Sequence, residues 1–263
     1  MADIINLFKY SFTDLPKLKK ASLLSWNKTI VYFFLLMFTL AITITTDFWT
    51  FSDNLISDAQ TISNRLPKFE VKDGQLQTEA EPSIFQTNYF IVTLDPKNQR
   101  DLNEAETDAS GQATAIILRQ NEIHIILPSS NISENLDQPS HLTIDYQDLG
   151  SFNNKSIQAA FNRLHKPGWL FLVTYLVALL PALINLLYMT LMVALIIKIV
   201  NLFSKNQIQY FGQIYKSVLV CSTSPIILTT LLAFIFPSFD YTFIQSLMTC
   251  ILYYHINKRT DYK

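Results

Sequence analysis

Between Pro167 and Ile197 the chain runs for 31 residues without one acidic or basic side chain, and that run settles the class of fold. As an α-helix rising ~1.5 Å per residue it would extend about 46 Å, well past the ~30 Å hydrocarbon layer of a bilayer. Dividing it at Pro181 leaves two pieces too short to cross comfortably and inverts everything downstream, so it predicts one tilted or kinked crossing. A second uncharged run, Thr29–Thr46, has nearly the ~20 residues a crossing needs. It is too long for a signal-peptide core, and it leads through Thr45, Thr46 and Asp47 into Phe48 and Trp49 rather than into small residues, so it is expected to stay as an anchor. Ser217–Phe236 and the shorter Phe239–Ile256, separated by a turn containing Pro237, Ser238 and Asp240, read as a hairpin of two further crossings. Trp26, Trp49 and Trp169 stand at the edges of these runs, where an indole prefers the boundary between lipid and water.

Lysine and arginine collect on the cytoplasmic flanks of crossings. Lys9, Lys17, Lys19, Lys20 and Lys28 precede the first run, Lys198, Lys205 and Lys216 fall between the second and third, and Lys258, Arg259 and Lys263 follow the fourth. Four crossings put all three clusters on one side, which predicts a multi-pass plasma-membrane protein with both termini cytoplasmic. The expected division is a basic interfacial segment at 1–28, crossings at 29–47, 167–197, 217–236 and 239–256, an extracytoplasmic stalk and β-rich domain at 48–166, a cytoplasmic loop at 198–216, an outer turn at 237–238 and a cytoplasmic tail at 257–263. Arg163 and Lys166, on the outer side, read as membrane-surface contacts. In the first segment Ile4, Phe8 and Phe12 recur at helical spacing beside Leu7 and Leu15, as in a helix lying in the inner interface and redirected near Pro16; the alternative is a docking helix for a cytoplasmic partner.

From Asp53 to Arg163 the outer segment carries sixteen acidic and eight basic residues, 8 − 16 = −8, against −1 for the whole chain. The basic cytoplasmic parts suit anionic lipid, and the lack of a large basic domain argues against nucleic acid. Leu55, Ile56, Ala59, Ile62 and Leu66 continue a helical stripe up to Pro67, and Ile157, Ala160, Phe161 and Leu164 form another before the second crossing. Two stalk helices that pack together are expected, either passing a change in the domain to the first two crossings or serving as a rigid spacer. Between them PKFEVKDGQLQ reads as a hairpin turning at Asp73 and Gly74, SIFQTNYFIVTL as one extended run, ATAIILRQNEIHIILP as a hairpin around Gln120 and Asn121, and HLTIDY as a further strand. The fold class is thus an α-helical integral membrane protein with four transmembrane helices and an extracytoplasmic α+β domain containing a small antiparallel sheet of about five strands.

Chemistry is harder to find. Gly74, Gly111, Gly150, Gly168 and Gly212 are too dispersed for a phosphate loop or a dinucleotide fingerprint. His124, His141, His165 and His255 include no zinc-type pair; His124 sits in an apolar strand, and His141 and Asp145 share a strand face without a nucleophile. Asp95, Asp101, Glu104, Glu106 and Asp108 form an acidic stretch whose spacing breaks at Ala105, so it reads as a solvated loop rather than a calcium loop. Cys221 and Cys250 fall in the third and fourth crossings as small packing residues, and the outer segment has no cysteine to staple it. No ionisable group lies near the centre of a crossing, which disfavours a coupled transporter, and Asn185 with Ser222, Thr223, Ser224 and Pro225 are assigned to helix packing and bending. Catalytic, cofactor and metal residues are none, the ligand-binding residues are unknown, and the chain is not expected to be an enzyme.

SFTDLPKLKK before the first crossing, PKFEVKDGQL in the outer segment and CSTSP at the start of the third crossing resemble, over nearly the full chain, a family of Gram-positive bacterial membrane proteins of unknown function that includes the maltodextrin utilization protein MalA. The C-terminal crossings are similar, more distantly, to the bundle of Yip1-type membrane trafficking proteins. The first resemblance implies association with carbohydrate uptake and supplies no catalytic residue. Two functions follow: a non-enzymatic accessory or sensory protein meeting another membrane protein such as a transporter, or a structural membrane organiser of Yip1-like type. Direct maltodextrin binding is not expected, because sugar sites favour Trp and Tyr faces. The outer segment offers only Tyr89 and Tyr146 besides Trp49 at its edge, while Phe69, Phe85 and Phe90 are claimed by a small core.

Overall fold

The computed structural model describes residues 2–102, 104, 113–127, 141–203, 209–236 and 239–258. In chain order its helices are α1 (Ala2–Thr13), a 3-10 segment (Leu15–Leu23), α2 (Trp26–Arg65), α3 (Tyr146–Leu149), α4 (Asn154–Arg163), α5 (Trp169–Phe203), α6 (Phe211–Cys221), α7 (Thr223–Ala233) and α8 (Thr242–Lys258). The strands are β1 (Glu70–Lys72), β2 (Gln75–Gln77), β3 (Ser83–Gln86), β4 (Phe90–Leu94), β5 (Thr114–Leu118), β6 (Glu122–Ile126), β7 (His141–Asp145) and β8 (Phe152–Asn153). They fall into two compact units, Met1–Phe51 with Pro167–Lys263, and Ser52–Lys166.

The first unit is all helical. Among the described residues three stretches are long and apolar enough to cross a membrane: α2, which runs on into the second unit, α5, and α6 with α7 taken together as Phe211–Ala233. The fourth expected crossing corresponds to α8, of 17 residues. α5 continues through Pro181 for 35 residues, as one crossing requires. Its buried stripe of Ala178, Ala182, Leu186, Met189, Val193 and Ile197 follows the three-to-four-residue period, while Val177, Leu180 and Ile184 stay exposed. The third stretch begins at Phe211, six residues before the expected Ser217, and bends at Ser222. Pro225 has no N–H to give the Cys221 carbonyl, and just before it the Ser222 and Thr223 hydroxyls bond back to the carbonyls of Leu219 at 2.8 Å and Val220 at 2.7 Å, a pattern that bends helices.

Helix α1 stops before Pro16, as expected, and the bundle takes up part of its apolar face. Ile4 and Leu7 are buried in the core with Leu18, Leu36, Val218 and Ile226, and Phe8 packs at its edge, leaving Ile5 and Phe12 exposed. Of the expected stripe, Ile4 thus belongs to the bundle and Phe12 does not. Several polar groups inside this unit pair with one another, which offsets the cost of burying them in an apolar surrounding. Gln245 Nε2 donates to Thr229 Oγ1 at 2.6 Å and Thr43 Oγ1 to Thr230 Oγ1 at 2.9 Å. Tyr32 and Thr223 hydroxyls lie 2.6 Å apart; because the Thr223 proton goes to Val220 O, Tyr32 is the donor. Trp26 stacks on Tyr215 with Lys216 Nζ 4.7 Å above its ring.

In the second unit β1 and β2 turn through Asp73 and Gly74 at φ 51° and 75°, the left-handed pair of a two-residue hairpin. β8 pairs with the other edge of β1 to make a three-stranded sheet. The remaining strands form a five-stranded sheet in the order β3-β4-β5-β6-β7. Two expectations need correction here. SIFQTNYFIVTL is a hairpin, closed where Thr87 N donates to Phe90 O at 2.9 Å. The larger sheet is also mixed, because β4 and β5 run parallel. Nineteen residues, 95–113, separate these two strands, enough for a crossover where a tight turn would force an antiparallel pair.

The expected stalk helices are present and packed. α4 opens with a capping box between Asn153 and Ser156. Gln60 Nε2 donates to Phe161 O at 3.1 Å and Gln158 Nε2 to Ser63 O at 2.9 Å, tying α2 and α4 in both directions. Lys166, expected as a surface contact, is largely buried and paired with Asp53.

Candidate functional site

A groove of about 400 Å³ lies between the α2 and α4 helix pair and one face of the five-stranded sheet. Its floor follows from strand period and register. Ile116 is opposite Ile125, Leu118 opposite Ile123, and Val92 lies beside Ile116, so alternate residues of β4, β5 and β6 project to one side. The walls come from the helical stripes, Ala59 and Ile62 on α2 facing Ala160 and Phe161 on α4. Ala59 and Ala160 are one-carbon side chains among branched and aromatic neighbours, and that missing volume keeps the groove from closing. Phe90, Ile116, Ile123 and Ile125 consequently remain half-buried although they are among the most readily buried residue types.

Its chemistry is nearly featureless. Ser63 is the one polar residue among the described residues of the lining, and its Oγ donates to Gln60 O at 2.9 Å while its carbonyl accepts from Gln158. Among the described residues the lining offers no free donor and no charge, only the acceptor lone pairs of the Ser63 hydroxyl. A second cleft, of about 230 Å³, lies in the helical unit and is polar, with Lys19, Ser22, Gln209, Tyr253 and Asn257 around it. Its groups serve one another: Tyr253 donates to Gln209 Oε1 at 2.8 Å, Asn257 Nδ2 to Tyr253 O at 2.9 Å and Ser22 to Lys19 O at 2.9 Å.

The residues singled out by sequence are scattered. His124 is buried in β6 with both ring nitrogens engaged, Nε2 at 2.9 Å from Glu122 Oε1 and Nδ1 at 3.0 Å from Thr143 Oγ1. Asp145 caps α3, accepting from Gln147 N at 3.0 Å. His165 Nδ1 lies 3.1 Å from Arg163 O, and His255 is on α8. Asp95 is fully buried and holds a turn by accepting from Gln99 N and Arg100 N, both at 2.9 Å, while Glu104 lies 3.8 Å from Arg100. Glu106 and Asp108 lie outside the described residues. Among the described residues no three His, Cys, Asp or Glu side chains come together as a metal site. Cys221 and Cys250 are free thiols in the helical unit, and Asn185 Oδ1 is buried there without a hydrogen-bond partner.

Tyr146, one of two tyrosines considered for sugar stacking, is completely buried at the sheet junction with Phe152 5.8 Å away. Its hydroxyl has no hydrogen-bond partner, and burial holds the phenol far above its ordinary pKa. The groove itself was missed by sequence reasoning, which assigned Phe90 to a core and Ala59, Ile62, Ile157, Ala160 and Phe161 to packing between the stalk helices. The available signal was a pair of alanines in two stripes expected to face each other, but their juxtaposition depends on helix rotation and strand register.

No curated protein and no solved structure matches this chain. Residues 5–256, taking in parts of both units, match a family described as proteins of unknown function (DUF1189), and the chain belongs to that family.

Proposed function

We propose that this is a non-enzymatic accessory or sensory protein of the plasma membrane, whose Ser52–Lys166 unit faces outward and takes up an apolar ligand. The observation that carries this reading is the groove. Two of its walls are helices whose chain leads on to the first two membrane crossings, so a ligand that spreads or draws together α2 and α4 acts on the elements best connected to the bilayer. With α8 as a short fourth crossing, the basic clusters share the cytoplasmic side and both termini are cytoplasmic. The spans then meet another membrane protein, with a transporter as the favoured class. The association with maltodextrin uptake enters through such a partner, since a groove without a free donor or a charge has no means of holding a sugar.

Mild crosslinking in intact cells followed by purification of the full chain tests this reading. Recovery of a defined transporter or kinase, in an amount that changes with Ile125→Glu in the groove, is the expected result. Capture of secretion machinery and bulk lipid alone, indifferent to the groove, would instead favour the membrane-organising alternative.

A further inference from the structure

We propose that the groove holds one acyl chain of a bilayer lipid, an assignment that rests on the outward reading of the Ser52–Lys166 unit. Several observations restrict the occupant. A peptide segment would bring N–H and C=O groups that the lining cannot satisfy, and a sugar or nucleotide would bring more. Among the described residues no lysine or arginine lines the groove to neutralise a carboxylate or phosphate, so a charged head must stay outside while only hydrocarbon enters. A methylene fills about the ~30 Å³ that a water molecule takes in the liquid. The groove's 400 Å³ therefore accepts a chain on the order of a dozen carbons, most of one lipid tail.

The source of the chain follows from connectivity. Phe161 precedes Pro167, where the long uncharged run begins, by six residues, a tether of about 20 Å at full extension. A bilayer is the concentrated source of long hydrocarbon chains, and this wall of the groove is leashed to it. The half-buried Phe90, Ile116, Ile123 and Ile125 are the surface such a tail would cover. A lipid that gives one tail to the groove, with its charged head outside the lining, reports on lipid supply, which gives the accessory reading a concrete input.

The test uses the full chain in vesicles of phosphatidylethanolamine and phosphatidylglycerol containing a small fraction of phospholipid with a photoreactive diazirine midway along one tail. After illumination, adducts are mapped by peptide mass spectrometry. Adducts are expected on Ala59–Leu66 and Ile157–Phe161 as well as on α5, whose exposed apolar face labels in any inserted protein. Ile125→Glu should lower the groove adducts at least fivefold relative to those on α5. The uncharged Ala59→Leu, which fills part of the groove, should lower them as well, with hydrogen exchange of β5 and β6 verifying that each variant is folded. Labelling of α5 without the groove would overturn the proposal, as would adducts joining groove peptides to another polypeptide segment or second copy. Labelling by a diazirine free fatty acid but not by the phospholipid would overturn the assignment of source. Loss of partner capture with adducts intact would sink the accessory reading and leave the lipid site standing.

Discussion

The two glutamines that bind α2 to α4 should be unequal, and the inequality can be worked out from one proline. In a helix the Ser63 carbonyl would accept from the amide four residues on, but that residue is Pro67 and has no N–H. Gln158 Nε2 supplies the bond at 2.9 Å, and Ser63 is only 1% exposed, so water cannot take its place. At the other contact Phe161 O already accepts from Leu164 N at 3.1 Å, and Gln60 adds a second donor to an acceptor that is already satisfied. Gln158→Leu leaves a buried carbonyl orphaned and should cost about 1–3 kcal/mol, whereas Gln60→Leu removes a supplementary bond and should cost about 0.5–1 kcal/mol. For a unit of this size the first corresponds to a melting shift of roughly 4–12 °C. Hydrogen exchange on the full chain in detergent separates the units, since opening free energies are read peptide by peptide; β5 and β6 should lose protection by these amounts while α5 does not. If Gln60→Leu proved as costly as Gln158→Leu, the argument from Pro67 would be refuted.

Three further outcomes are expected. Single cysteines at Ser83 and Thr260 should divide by side, the first labelled by an impermeant maleimide on intact cells and the second only after permeabilisation; the reverse pattern would invert the topology. Thr223→Val removes one of the two hydroxyls, Thr223 and Ser11, that hydrogen-bond the buried Tyr32 and should cost about 0.6 kcal/mol of bundle stability, measured by unfolding in mixed micelles, with Thr223→Ser retaining most of it. Lys28 holds the Asp3 carboxyl below its ordinary pKa, so the contact's stabilising effect is present above the unfolded carboxylate pKa and is lost as pH falls through the lower folded value. Amide exchange at the start of α1, corrected for the intrinsic pH dependence of exchange, should show fraying across that acidic window, and Asp3→Asn should abolish the pH dependence.

The elements legible in the sequence were those fixed by neighbours in the chain. Asp73 and Gly74 announced their hairpin because few residue pairs tolerate left-handed backbone in succession. Pro16 announced the end of α1, and the stripes from Leu55 and Ile157 announced two helices. What escaped depended on partners remote in sequence. A strand of two residues, β8, has no period to detect, and nothing in Ile91 or Ala115 reveals that their strands run parallel. Ile4 and Leu7 looked like lipid contacts because an apolar face does not disclose what will cover it. The groove was least visible, since residues around a gap have the same composition as residues that fill one.

Glu70 pairs with Asn153 across 83 residues of chain, and this register joins the beginning of the Ser52–Lys166 unit to its end. During synthesis the β1–β2 hairpin can form early, yet the outer edge of β1 stays unpaired until nearly the whole unit has emerged. Such long-range closure is slow, and an open edge is a template for wrong pairing while the chain waits. Three residues in β1 and two in β8 make that template short. Completion of the sheet thus coincides with the arrival of α4 and, immediately behind it, the uncharged run of α5, so the unit can close only as the second long apolar helix is being made.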